Sequence, residues 1–197
     1  MSLQASDPWP ALPTKRLLLR APQPADLEAL YEIQSDPVSQ RFSASPMPGS
    51  REEVMQQLDD WLGHWQAHEF GYWAIALREQ PEELLGFGGL MLRQVAGRQG
   101  LNLYFRFRPQ AWGQGYAAEM TQAALALAFE QQQADAVLAV VQPANMPSRK
   151  TLERAGLRLK GSLANVPGQP ADLLYEIAAA HYAEMPRLPP QATPFGA

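Results

Sequence analysis

Six consecutive residues, Ala136–Val141 (AVLAVV), are apolar with no polar residue at alternate positions. Side chains along a strand point to opposite faces in turn, so such a strand must be covered on both. It belongs inside a sheet with helices packed on each side, and the rest of the chain supplies them. Residues 16–20 (RLLLR) read as a short strand. Pro24 then opens a helix over 25–34, with Asp26 in its first turn and Leu27, Leu30 and Tyr31 at helical spacing. Pro46, Pro48 and Gly49 mark a loop. Ser50 and Glu53 form a capping-box pattern ahead of a helix that carries Val54, Leu58, Trp61, Leu62 and Trp65 on one stripe. Strands follow over 72–78, 84–92 and 101–108, joined by turns at 80–83 and 96–100. A long helix is expected from about 115 to 132, with Met120, Ala123, Ala124 and Leu127 on its buried face. A shorter helix over 147–155 is stopped by Gly156 in a left-handed cap, and 173–177 is a last strand. The order β-α-α-β-β-β-α-β-α-β predicts an α/β fold: a mostly antiparallel mixed sheet of about seven strands with helices on both faces.

The chain has 197 residues, enough for one domain with a sizeable core, and 46% hydrophobic against 18% charged residues is a globular balance. Prolines at 8, 10 and 13 and at 186, 189, 190 and 194 crowd the two ends. They predict a flexible arm over 1–13, a domain over 14–182 and a tail over 183–197. The arms are candidates for exchange between subunits of a homodimer. A net charge of −4 offers no basic field for nucleic acid or an anionic membrane. Without cysteine there is neither disulfide nor thiolate chemistry. The first residues lack the basic and apolar regions of a secretory signal, and the longest apolar run, 123–129, is far short of the about 20 residues that span a bilayer. A cytoplasmic protein is expected.

The chemistry concentrates in 105–119 (FRFRPQAWGQGYAAE). A strand ends at Pro109, two glycines follow, and a helix begins at once. Gly113 and Gly115 permit a sharp turn and close approach of backbone to a ligand. The unpaired amides of the helix's first turn form a site for a phosphate group. A plain strand-to-helix turn would carry the same G-x-G. Two rival phosphate motifs are excluded. A Walker loop needs Lys and Ser or Thr where Tyr116 and Ala117 stand. A dinucleotide fold wants an acidic residue at the end of the next strand, which here ends Val140-Val141-Gln142. A second signal follows one strand later in 142–157 (QPANMPSRKTLERAGL). Asn145 and Ser148 open a helix there, and either serves equally well as a simple N-cap.

Taken together, the two segments resemble the GNAT superfamily of acetyltransferases. Gln110-x-x-Gly113-x-Gly115 is similar to its [R/Q]-x-x-G-x-[G/A] coenzyme motif. Residues 112–117 (WGQGYA), Asn145-x-x-Ser148, Ala155-Gly156-Leu157 and the opening 14–20 (TKRLLLR) with Asp26 look like the branch that acetylates N-termini of ribosomal proteins. The resemblance spans about residues 14–177. It implies that the strands at 101–108 and 136–141 part at a bulge and that acetyl-CoA is the co-substrate. Phe107 and Arg108 would bind the pantetheine arm through their main chains. Gln110, Gly113, Gln114, Gly115, Tyr116 and Ala117 would hold the pyrophosphate, Asn145 the pantetheine, and Ser148 would lie at the sulfur as the acid for the leaving thiolate. An amine would attack directly in a ternary complex, with an amide near Phe107 stabilising the oxyanion. The acceptor would be a primary amine, either a protein N-terminus or a small molecule.

Two positions depart from the family pattern. Asn102 stands where many relatives carry a glutamate base, and Leu152 where some carry a tyrosine acid. These departures motivate an alternative, a non-catalytic acyl-CoA sensor. Glu119, one turn into the phosphate helix, is expected to be structural. Arg41, Phe42 and Trp65 lie on the segments that wall the acceptor site in this family. His64 and His68 have the spacing of zinc ligands, but Trp65 stands between them where a glutamate would be needed and no third ligand is evident, so a packed pair and no metal is expected.

Overall fold

The computed structural model describes residues 8–42, 47–164 and 170–186. The expectations placed on residues 1–7, on Pro46 and on Pro189, Pro190 and Pro194 lie outside them. The strands are β1 (Leu12–Pro13), β2 (Leu17–Arg20), β3 (Tyr72–Leu77), β4 (Gln80–Val95), β5 (Arg98–Phe107), β6 (Ala136–Val141), β7 (Arg158–Leu163) and β8 (Asp172–Ala178). They form one sheet in the order β1-β2-β3-β4-β5-β6-β8-β7. Every neighbouring pair is antiparallel except β5 and β6, which run parallel.

The helices are α1 (Leu27–Ser35), α2 (Pro37–Gln40), α3 (Arg51–His68), α4 (Tyr116–Ala126), α5 (Met146–Arg154) and α6 (Ala179–Glu184). A 3-10 turn at Pro24–Asp26 leads into α1, and α4 continues as a π turn over Leu127–Gln131. Asp26 is buried and accepts both terminal nitrogens of Arg20 at 2.7 Å, which ties the start of α1 to the end of β2.

Two apolar clusters sandwich the sheet. Leu30 and Ile33 of α1 and Val54, Leu58 and Trp61 of α3 pack on Tyr72, Ala74, Ala76, Phe87 and Met91. Met120, Ala123 and Ala124 of α4 pack with Leu17, Leu19, Trp73, Ile75, Leu90 and Leu103. Alternate residues of β3 enter different clusters, which explains why its sequence shows no polar alternation. In β6, Val137 and Ala139 join the second of these clusters and Leu138, which points to the opposite face, is buried as well.

The two strands beyond those legible in sequence, β1 and β7, are at the sheet edges. β1 pairs only Leu12 with Leu19 and Pro13 with Leu18, and a two-residue strand carries no periodicity. β7 (RLKGSL) is nearly all exposed, so no apolar pattern marks it. The described part of the expected N-terminal arm is packed, because the Trp9 ring lies 5.4 Å from that of Trp65 and Leu12 is buried. The turn between β4 and β5 is tighter than expected, with left-handed Ala96 and Gly97 at its tip.

Trp61 is 2% exposed and touches the rings of Tyr72, Phe87 and Tyr104. Trp61→Ala should cost about 3–5 kcal/mol of stability, read as a lower midpoint in urea unfolding. A loss under about 1 kcal/mol would show that this ring is not a core element.

Candidate active site

The site begins where β5 and β6 separate. The two strands pair only at Leu101 with Val137 and at Asn102 with Leu138. Beyond these, β5 continues to Phe107 in unbroken register with β4, and β6 continues to Val141 in register with β8. The strands therefore part without the expected bulge in β5. Main-chain groups along an antiparallel strand face its neighbour in alternation. Arg108 N bonds to Leu85 O at 2.8 Å, which fixes the phase. Main-chain groups of Tyr104 and Arg106 then point toward β4, and those of Phe105 and Phe107 point into the gap. The Phe107 carbonyl also accepts the Trp112 indole N–H at 2.9 Å.

A cavity of about 900 Å3 occupies the gap. Residues 102–107 of β5 line one side and residues 139–142 of β6 the other. The glycine loop, the first turns of α4 and α5, and Gln34, Gln40, Phe42, Glu53 and Gln57 complete the lining.

The glycine loop is built as its sequence requires. After a 3-10 turn at Pro109–Ala111, Gly113 and Gly115 adopt φ of 75° and 78°, left-handed values that side chains resist. Gly115 is the N-cap of α4 and no side chain caps the helix. The first intrahelical bond runs from Glu119 N to Gly115 O, so the amides ahead of it face outward at the positive end of the helix dipole.

Glu119 is structural. It is 8% exposed and accepts from Thr14 Oγ1 at 2.6 Å, Arg16 N at 2.7 Å and Arg16 Nε at 2.7 Å. Burial pushes its pKa up, but the bonds from Thr14 and Arg16 outweigh burial and hold it below the ordinary carboxylate value.

Asn145 is the N-cap of α5, its Oδ1 accepting from Ser148 N at 3.2 Å. That bond is the plain capping role, yet both residues also line the cavity. Arg149 and Tyr175 brace this turn: Arg149 Nη1 donates to Pro143 O at 3.1 Å and Arg149 Nε to Tyr175 Oη at 3.2 Å.

The structure brings Phe42, Phe107, Gly113, Gly115, Tyr116, Ala117, Asn145 and Ser148 into one cavity. It separates five others. Arg108 spends its amide on Leu85 and its guanidinium on Leu84 O and Glu32, so of the expected pair only Phe107 offers main-chain groups to the gap. Gln110 and Gln114 line a second cleft, of about 680 Å3, with Arg108 and Tyr116. Arg41 stacks on Phe42 and Trp112 at the cavity's edge. Trp65 is buried, donates its indole N–H to Tyr72 O at 2.9 Å and packs on Trp9, a core residue away from the cavity.

Asn102 lines the cavity but donates Nδ2 to the Tyr72 hydroxyl at 2.9 Å. Burial pushes the pKa of Tyr72 up to about 12, so that hydroxyl keeps its proton. Leu152 is buried against the core cluster. The residues missed in sequence are Phe105, whose strand phase only the sheet reveals, and a polar group on the α1 side of β5. There Gln34 is held by Arg106 at 2.6 Å and by Tyr104 at 3.2 Å. His64 bonds Phe70 O through Nδ1 at 2.8 Å and accepts Leu92 N–H through Nε2 at 3.1 Å. Both ring nitrogens serve packing, and burial holds its pKa below the usual histidine value. Among the described residues no helix is long and apolar enough to cross a membrane.

Comparison with known proteins agrees with this geometry. The model of the acetyltransferase (GNAT) domain matches residues 16–158. The uncharacterized N-acetyltransferase YnaD of Bacillus subtilis is 29% identical over 148 residues, 75% of this chain and 82% of that protein. An acetyltransferase from Agrobacterium tumefaciens superposes with a TM-score of 0.72 at 26% identity, covering 90% of this chain and 98% of its own. RimL, a ribosomal L7/L12 alpha-N-protein acetyltransferase solved with coenzyme A, superposes with a TM-score of 0.70 at 17% identity, over 85% and 97% of the two chains.

The Glu119 cluster predicts a pH signature. Its folded pKa is depressed, so its contribution is present above the unfolded value and is lost as pH falls through the folded one. Glu119→Gln should destabilise the protein by about 1–3 kcal/mol near pH 7. That penalty should shrink below about pH 4. Urea unfolding of both proteins across this range checks it, and an equal penalty at both ends would contradict the cluster's ionic character.

Proposed function

The chain belongs to the GNAT acetyltransferase family, and on that premise we propose that it transfers an acetyl group from acetyl-CoA to a primary amine within a ternary complex. The observation that carries the proposal is the open seam between β5 and β6 beside the uncapped N-terminus of α4. A diphosphate fits the outward amides of the glycine loop and of the first turn of α4. A pantetheine arm fits the gap as an added strand, bonding the main chain of Phe105 and Phe107.

When bound, the coenzyme supplies an activated acyl carbon as a thioester. An amide of β5, from Phe105 or Phe107, stabilises the charge that develops on the carbonyl oxygen. Asn145 keeps Oδ1 on the α5 cap, which leaves its Nδ2 to donate to the pantetheine. Ser148 Oγ gives a proton to the departing sulfur and regains one from the attacking nitrogen, directly or through water, as the amide forms. Among the cavity-lining residues the carboxylates are Glu53 and Asp172. Glu53, in the first turn of α3, suits a cationic amine; Asn102 cannot serve as base. The likeness of residues 112–117 to the branch acting on ribosomal proteins favours a protein N-terminus over a small amine.

Two measurements test the proposal. Acetyl-CoA at about a hundredfold over Kd should stabilise the protein by about 2.7 kcal/mol, seen as a raised melting temperature. Free-thiol release across a panel of amines and N-terminal peptides should then identify the acceptor; binding without release would leave a sensor. Ser148→Ala should lower turnover about tenfold, a modest factor for a thiol leaving group, and leave coenzyme affinity nearly unchanged. Unaltered turnover would remove Ser148 from the mechanism.

A further inference from the structure

Arg16 reaches the glycine loop from the far side of the sheet edge. It precedes β2, and it is not among the residues that line the cavity. Its guanidinium nonetheless touches the loop at every face. Nε is paired with Glu119 Oε2 at 2.7 Å, Nη1 donates to Gln114 O at 2.8 Å, and the group stacks 4.6 Å above the centroid of Tyr116. Nη2 lies 3.4 Å from where a Cβ on Gly115 would stand.

The bond to Gln114 O has a geometric consequence. A trans peptide is planar, with its C=O and N–H pointing in opposite directions. The carbonyl of Gln114 and the amide of Gly115 belong to the same peptide unit. Fixing that oxygen on Arg16 turns the Gly115 N–H away from Arg16. A left-handed glycine on each side of Gln114 makes this peptide the one most free to flip. The uncapped helix end holds no other side chain to prevent it.

We infer that Arg16 is a positioning residue for the coenzyme: held by Glu119, it clamps Gln114 O so that the Gly115 amide is aimed at the diphosphate before the ligand arrives. The inference rests on the coenzyme reading above. Arg16 does not itself touch the phosphates. The ion pair with Glu119 offsets its charge, so its effect is preorganisation of the loop. Thr14, bonded both to Leu17 and to Glu119, sets the turn from which Arg16 extends.

Titration calorimetry of the full chain with CoA and with dephospho-CoA, which keeps the diphosphate but lacks the 3′-phosphate, tests this. Arg16→Ala should weaken both ligands by about tenfold, the equivalent of 1.4 kcal/mol, and leave the ratio of their affinities unchanged. Arg16→Lys keeps the charge but lacks the fork and should recover only part of the loss. A merely structural arginine would lower the melting temperature of the free protein without moving the affinity of what remains folded. Affinities within twofold of wild type would overturn the inference, as would a loss confined to CoA, which would make Arg16 a reader of the 3′-phosphate. Should Arg16→Ala not fold, Arg16→Gln and Arg16→Lys carry the same comparison; failure of all three to fold would make the residue structural and the inference wrong. Wild-type protein that binds neither ligand would overturn the coenzyme reading itself.

Discussion

Between β5 and β6 the sheet is held by two residue pairs, while each of these strands is paired along its length to its outer neighbour. The arrangement divides the sheet into a five-stranded part and a three-stranded part that meet at one short ladder. A fully zipped parallel pair would satisfy every amide at the seam and leave no space. Stopping the ladder early exposes the main chain of Phe105 and Phe107 and opens the cavity in which Asn145 and Ser148 stand. The cost is borne by the outer pairings and by the apolar core, whose larger cluster crosses the seam from Leu103 to Val137, Ala139 and Tyr175.

The glycine loop depends on that opening and on a second support from the opposite direction. Its amides have value only if they point outward, and nothing in the loop itself compels this. The support comes from the β1–β2 turn, through Thr14, Arg16 and the buried carboxylate of Glu119. A residue that sequence marks only as an acid in the first helical turn thus acts as the anchor between an edge strand and the ligand loop. The second half of the site is braced in the same manner, with Arg149 and Tyr175 holding the turn that presents Ser148.

Much of this was legible before any coordinates. The unbroken apolar run of β6 demanded a strand covered on both faces, and Val137, Leu138 and Ala139 are all buried. Gly113 and Gly115 marked a turn that only glycine accepts, and both are left-handed. Asn145 is a helix cap, and it also lines the cavity. What sequence did not show depends on distances across the chain. Arg108 belongs to the motif but lies one residue past the phase that faces the gap. Trp65 was itself a candidate for the acceptor wall but sits in the core with the rest of its helical stripe, its indole bonded to Tyr72 O. Arg16 is separated by about a hundred residues from the carbonyl it holds, and no periodicity reports such a pair. Edge strands β1 and β7 owe their existence to a neighbour and carry no pattern of their own.

The short ladder has a consequence beyond chemistry. Where two halves of a fold share so few backbone bonds, a ligand that lies along the join serves as mortar. Binding then adds to the free energy that resists unfolding, and the empty form opens more often and is the easier target for proteases. The lifetime of the chain would in that way lengthen with the concentration of whatever ligand fills the join.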